Sequence, residues 1–261
     1  MVFGWLTERR RRRIEARAFP PEWESILRRN VGHYDLLSEE EREHLRKLVL
    51  VFVEEKTWVG AGGLEVDDEI RVTIAGQACL LLLGRDHSLY ADVESLVVYP
   101  STMVAPERPR SFFDRRVEPV GERQHLAGEA HRRGPVLLAW DAAKRGARDP
   151  KDGRNVVIHE LAHKIDMLDA HADGTPPFES RAALRTWAEI AAPAFLELRA
   201  RADAGRKTFL DPYGATDEAE FFAVATEMFF EKPVRFEREH PELYDLLRGY
   251  YRQDPAARLR R

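Results

Sequence analysis

Residues 156–166 read Val156-Val157-Ile158-His159-Glu160-Leu161-Ala162-His163-Lys164-Ile165-Asp166. Apolar residues fall on several sides of this stretch, which predicts a buried helix starting near Arg154. Residues four apart on a helix lie one turn above each other, so the imidazoles of His159 and His163 share a face and can approach one ion. Histidine nitrogens bind zinc at ~2.0–2.1 Å, and the pair supplies half of a four-ligand shell. Glu160 is rotated by ~100° from His159 and stands beside the ion rather than on it. There a carboxylate can take a proton from water that the metal polarises. Two buried imidazoles next to a buried carboxylate would otherwise be costly, and a metal accounts for all three.

A catalytic zinc usually has three protein ligands and one open position. The metzincin continuation is excluded, because Asp166 and Asp169 occupy the positions where its glycine and histidine would fall. His171 follows no glycine turn and reads as a surface loop residue. The remaining source is the phenylalanine-rich stretch from Glu220 to Phe230, whose apolar character makes acidic residues there conspicuous. Glu220 and Glu227 are seven residues apart and share a helix face, so both are candidates at this level. Asp166, three residues after His163, is a candidate acceptor for the free nitrogen of a ligating histidine, and equally a helix-end residue.

The chain has 261 residues with Cys79 as its single cysteine, so a disulfide framework and a cysteine-based metal cluster are excluded and a cytoplasmic setting is expected. Its formal charge of −4 gives no general attraction to nucleic acid or anionic membrane, and no direct nucleic-acid binding is expected. Arg9 to Arg13 stand apart as five consecutive arginines. No apolar stretch follows them as a secretory signal requires, and no run approaches the ~20 residues of a membrane span. Such a run is most often a solvated arm, with direct membrane or nucleic-acid binding as the competing reading.

Along the chain, helices are predicted from Pro21 to about Asn30, and from Ser38, which forms a capping box with Glu41, to Lys56. Asp67 to Leu83 is read as helix, and Ser95 to Tyr99 and Pro135 to Trp140 as strands. The polar segment Asp141 to Arg154 has the composition of a loop or broken helix. Further helices are predicted at about Arg181 to Ala202, Asp217 to Glu231 and His240 to Tyr251. The expected class is α+β, helix-rich with a small β-sheet. Residues 1–18 are expected to form a basic flexible arm, and 19–261 one domain with an N-terminal helical subregion. Trp58, Trp140 and Trp187 read as packing residues and Cys79 as an inert core residue. His33, His44, His87, His125, His131 and His240 have no spacing that suggests a site.

Three blocks, NVVIHELAHKID, DPYGATDEAEFFAVATEMFF and GYYRQDPAARL, with weaker similarity through LVVYP and GPVLLAWD, resemble the Mlc titration factor A family of bacterial zinc peptidases. The active site of that family is similar to that of the anthrax lethal factor catalytic domain. The resemblance covers roughly residues 20 to 258 and implies a zincin-type metallopeptidase fold. It implies that His159, His163 and Glu220 hold one Zn2+, which selects Glu220 over Glu227. It further implies that Glu160 is the general base and that Tyr213 supports the oxyanion. The implied activity is peptide hydrolysis, with small or N-terminal substrates favoured, as for an aminopeptidase. The implied partner is a Mlc-like transcriptional repressor of sugar-uptake genes. A non-catalytic regulator that sequesters such a repressor is the alternative.

Overall fold

The computed structural model describes residues 2–101, 103–104, 125–126, 128–130, 134–169 and 171–260. Helix α1 (Val2–Glu15) carries the arginine run. It replaces the free arm expected over residues 1–18, because one side of it is docked. Arg11 donates from Nε and Nη2 to the two carboxylate oxygens of Glu55, each at 2.9 Å, and Ile14 is buried against Leu50 and Val51. Five arginines in a row hide this, since a docked helix needs only about one inward residue per turn.

Helix α2 (Pro21–Asn30) has Pro21 in its first turn. Helix α3 (Glu39–Glu55) starts with the capping box read from the sequence: Glu41 N–H donates to Ser38 Oγ at 3.2 Å and Ser38 N–H to Glu41 Oε2 at 2.8 Å. Strand β1 (Thr57–Gly60) leads to α4 (Asp68–Leu80), which is capped by Asp67 and ends three residues earlier than expected. Strands β2 (Ser95–Tyr99), β3 (Met103–Val104), β4 (His125–Leu126), β5 (Gly128–Ala130) and β6 (Val136–Ala139) follow. Four of them form a sheet in the order β1-β2-β6-β5, parallel across β1, β2 and β6, with β5 antiparallel at the edge. Leu96, Val98, Val136 and Leu138 alternate with their neighbours and are buried, as the period of a strand requires.

The segment expected as a loop or broken helix instead opens with helix α5 (Trp140–Arg148). Ala143, Gly146 and Ala147 form its buried stripe, and the lysine and arginines that gave it a loop-like composition lie on the outer side. Gly146 is needed for close approach, because a Cβ there would come within 2.8 Å of Arg154 O. Helix α6 (Val156–Asp166) follows, then α7 (Arg181–Asp203) and α8 (Glu218–Glu231). The C-terminal part is α9 (Pro233–Glu239), α10 (Pro241–Tyr251) and α11 (Pro255–Leu259), each opened by a proline. The short α9 and α11 were not anticipated.

One hydrophobic cluster runs from Ile26 to Ala256 and holds the inner faces of α4, α6, α8 and α10. The observed class is helix-rich α+β with a small sheet, as expected. Among the described residues, no helix is long and apolar enough to cross a membrane. Cys79 is buried and its thiol is pushed up by that burial, in keeping with an inert core residue. Trp187 is buried, Trp58 and Trp140 pack partly buried against the core, and His131 lies outside the described residues.

Candidate metal centre

Helices α6 and α8 pack against each other and carry most of the centre. Each has a side-chain cap that fixes its start. Asn155 Oδ1 accepts the Ile158 N–H at 3.1 Å, and Asp217 Oδ1 accepts the Glu220 N–H at 2.9 Å. Val157, Ile158, Leu161, Ala162 and Ile165 are all fully buried and lock α6 in rotation, which turns both histidines toward α8.

Three ligand-type atoms converge. His159 Nε2 and His163 Nε2 are 3.1 Å apart, and Glu220 Oε2 lies 3.0 Å from the first and 3.4 Å from the second. A tetrahedral ion with ligand distances of ~2.0–2.1 Å requires edges of about 3.3–3.4 Å, close to this triangle. The buried Glu220 Oε2 has no well-formed hydrogen bond, so its lone pairs are directed into the same space as the ring nitrogens. The donor set therefore fits a divalent cation.

Glu227 stands at the other ring nitrogen of His159. Its Oε1 is 2.5 Å from Nδ1, and its Oε2 accepts the Asn155 N–H at 2.8 Å. Nδ1–H therefore donates to the carboxylate, which leaves the Nε2 lone pair free to face the cation. Sequence spacing leaves both glutamates open as ligands; in the structure Glu220 Oε2 lies beside both Nε2 atoms, and Glu227 Oε1 beside Nδ1 of His159. Asn155 extends the arrangement: Nδ2 donates to Glu231 Oε1 at 3.2 Å and to Gly146 O at 3.4 Å. Beyond Glu231, His33 Nε2 donates to Phe230 O at 3.3 Å and lies 3.7 Å from Glu231 Oε1. Burial pushes His33 down to about 4 and Glu231 up to about 9, so both are neutral at pH 7. Asn155, Glu231 and His33 were not singled out as site residues from sequence. The available signal was an asparagine immediately before an apolar helix.

The electrostatics call for positive charge. Burial alone would lower His159, but the contacts with Glu220 and Glu227 outweigh it and raise the ring well above its ordinary value. Burial alone would raise Glu220, yet the two rings hold it well below the usual carboxylate range. Glu160 is 5% exposed, and burial pushes it up to about 7 against the pull of His159 and His163. A carboxyl at that value can exchange a proton near neutrality.

Tyr213 lies on the 3-10 turn Pro212–Ala215, capped by Asp211, and is 49% exposed. Its hydroxyl donates to Glu220 Oε1 at 3.1 Å, and its ring centre is 6.1 Å from that of His159. Burial of the hydroxyl and the neighbouring Glu220 and Glu160 carboxylates raise the phenol, which stays protonated. Of the two readings of Asp166, the structure has the helix-end residue, the last of α6. It is buried and accepts the Gly174 N–H at 3.1 Å, and no hydrogen bond joins it to His163 among the described residues. Gly174 itself has φ +72° and sits where a Cβ would meet Glu218 O at 2.1 Å, so Asp166 braces the loop that passes the start of α8. His171 is exposed in a loop segment, as expected of a surface residue.

Comparison with known proteins gives the family of the chain. Residues 5–252 match the family model described as glucose-regulated metallo-peptidase M90. The chain is 34% identical over 254 residues to an uncharacterised protein of Synechocystis sp., covering 96% of this chain and 90% of that one. It is 30% identical over 232 residues to Mlc titration factor A of Salmonella gallinarum, covering 86% and 83%. It is also 30% identical over 230 residues to Mlc titration factor A of Serratia proteamaculans, covering 85% and 84%. The chain belongs to the glucose-regulated metallo-peptidase M90 family, and proteins called Mlc titration factor A are among its relatives.

Proposed function

We propose that the chain is a zinc-dependent peptidase in which His159, His163 and Glu220 hold one Zn2+ and Glu160 is the general base. The observation that carries the reading is the triangle of His159 Nε2, His163 Nε2 and Glu220 Oε2, with sides of 3.0 to 3.4 Å. Zinc bound there supplies a Lewis acid that polarises a carbonyl and acidifies water. Glu160 takes a proton from the attacking water and returns it to the leaving amine, an exchange for which a buried carboxyl next in sequence to His159 is placed. Tyr213 exchanges its bond to Glu220 for one to the developing oxyanion, which its half-exposed position allows. Small or N-terminal peptides, cleaved as by an aminopeptidase, and a cytoplasmic setting complete the reading; the first rests on the family resemblance and the second on the lone buried cysteine.

Glu160→Gln tests it. Metal content should persist while amide hydrolysis falls by at least ~100-fold; undiminished turnover would refute the assignment. The relatives' name supports a second output, binding of a Mlc-like repressor. Should the Glu160→Gln protein still relieve repression in cells, binding alone is sufficient for that output, and hydrolysis is a separate activity.

A further inference from the structure

Helix α1 is not used by the metal centre, and its outward side combines two features. From Val2 to Arg17 there are six arginines against two glutamates, in a chain whose formal charge is −4. At 100° per residue, Trp5, Leu6, Arg9 and Arg13 fall within an arc of about 100°, flanked by Arg10 and Arg12. Trp5 is 61% exposed and Leu6 51%, and Arg9, Arg10, Arg12 and Arg13 are exposed too. The Arg9 guanidinium lies over the Trp5 ring at 5.4 Å. No ion pair involves Arg10, Arg12 or Arg13 among the described residues, whereas Arg11, on the opposite side, is held by Glu55. Arg17 pairs with Glu54 at 3.3 Å and Ile14 is buried, so the helix is formed and oriented before any partner arrives.

We propose that the outer face of α1 docks the protein on the surface of an anionic phospholipid bilayer. The arginines complement the headgroup charge, and each contributes when it comes within a Debye length of the surface. Trp5 and Leu6 enter the boundary between headgroups and acyl chains, where an indole is favoured, and the long arginine side chains reach back to the phosphates. A nucleic acid would satisfy the arginines, and its bases can stack on Trp5, but it gives Leu6 no apolar medium; the bilayer accommodates both side chains and for that reason is the occupant. The orientation set by Arg11 and Ile14 keeps the remainder of the chain above the membrane plane.

The test uses the full-length protein with vesicles of phosphatidylcholine alone, vesicles of phosphatidylcholine mixed with phosphatidylglycerol, and single- and double-stranded oligonucleotides. Flotation should recover the protein with the phosphatidylglycerol vesicles only, and added salt should release it. The triple variant Arg10→Gln, Arg12→Gln, Arg13→Gln should lose roughly 100-fold in vesicle affinity, at about fivefold per arginine. Trp5→Ser with Leu6→Ser should lose at least ~10-fold while keeping all the charge. Thermal melting of both variants should match the wild type, because none of these side chains is buried. No flotation with anionic vesicles, affinity unaffected by Trp5→Ser and Leu6→Ser, or tighter binding to oligonucleotides than to vesicles would each overturn the proposal.

Discussion

Glu227 meets His159 at 2.5 Å on Nδ1, the ring nitrogen that does not face His163 and Glu220. The same carboxylate accepts the Asn155 N–H through its second oxygen at 2.8 Å. Both carboxylate oxygens are thus committed, one to the His159 ring and one to the backbone that starts α6. Glu227→Gln keeps the shape but has a single acceptor oxygen, so its amide must turn a donor toward either Asn155 N–H or Nδ1–H. Metal affinity should fall about 10- to 100-fold, as for other changes behind a metal-ligating histidine. Stability of the metal-free protein should fall by about 1–3 kcal/mol from the unmatched donor. Chelator competition and denaturant melts read the two effects separately.

Metal uptake should be coupled to proton release. Without a cation, Glu220 and Glu227 raise the His159 ring well above its ordinary value, so that near neutrality the ring carries a proton that a metal must displace. Affinity should therefore rise with pH and fall on acidification, with about one proton released per ion from His159 near pH 7. Titration calorimetry in buffers of different ionisation enthalpy measures this directly. Equal apparent enthalpies in all buffers would show that no proton leaves and that the ring is already neutral.

The legible part of this centre is the part that is local in sequence. His159 and His163 depend only on the four-residue repeat of one helix, and Glu160 only on its neighbour, so a single stretch places all three. The duties of Glu220 and Glu227 depend on how far α8 has slid along α6, which no spacing within α8 reports. Asn155 is readable as a cap, because asparagine precedes an apolar run, but its bonds to Glu231 and Gly146 join segments 76 and 9 residues away. Helix α5 was missed for a different reason. Its apolar side is made of alanines and a glycine, and such small residues weigh little against the lysine and arginines around them. The helical state of α1 was masked in the opposite sense, since its repetitive charge hides the single inward arginine.

Glu231 should make stability depend on pH in a direction unlike that of a paired carboxylate. Burial raises its folded-state value to about 9 from an ordinary 4.5, so between those values the native state keeps a proton that the unfolded chain has given up. The native state then binds more protons, and stability is lost as pH rises from about 4.5 to about 9, with no further loss above. Glu231→Gln keeps a carbonyl for Asn155 Nδ2 and removes the ionisable group. The variant should be more stable than wild type at pH 8 by the order of a few kcal/mol, with the two curves converging toward pH 4.5. Denaturant melts across that range decide it; parallel curves would mean that Glu231 is ionised in the native protein.

Asn155→Ala should be more damaging than loss of an ordinary helix cap. A cap alone is worth about 0.5–2 kcal/mol. Asn155 Nδ2 also donates to Glu231 Oε1 in the interior, and a buried acceptor left unmatched adds about 1–3 kcal/mol. A total destabilisation of roughly 2–4 kcal/mol is expected. Asn155→Ser keeps an oxygen for the Ile158 N–H but is too short to donate to Glu231 Oε1, and so should recover only the cap portion. Equal stability of Asn155→Ser and wild type would show that the bond to Glu231 contributes nothing.

Tyr213 joins the ligand carboxylate and the open side of the centre in one hydroxyl. As built, that hydroxyl donates to Glu220 Oε1 at 3.1 Å, while Glu220 Oε2 faces the two rings. Removing it costs the ligand one hydrogen bond, a net contribution of about 0.5–1.5 kcal/mol, so Tyr213→Phe should weaken metal binding by only about tenfold or less. An oxyanion donor is worth far more in the transition state than in the ground state, and its loss typically costs about 10²–10³ in kcat. With metal kept saturating, Tyr213→Phe should lower kcat by that factor and leave KM nearly unchanged, because the ground-state substrate does not use the bond. A loss of activity that excess metal restores would instead confine the hydroxyl to holding Glu220. The half-exposed position of the ring favours the catalytic outcome, since a hydroxyl needed only to brace a buried ligand gains nothing from being within reach of substrate.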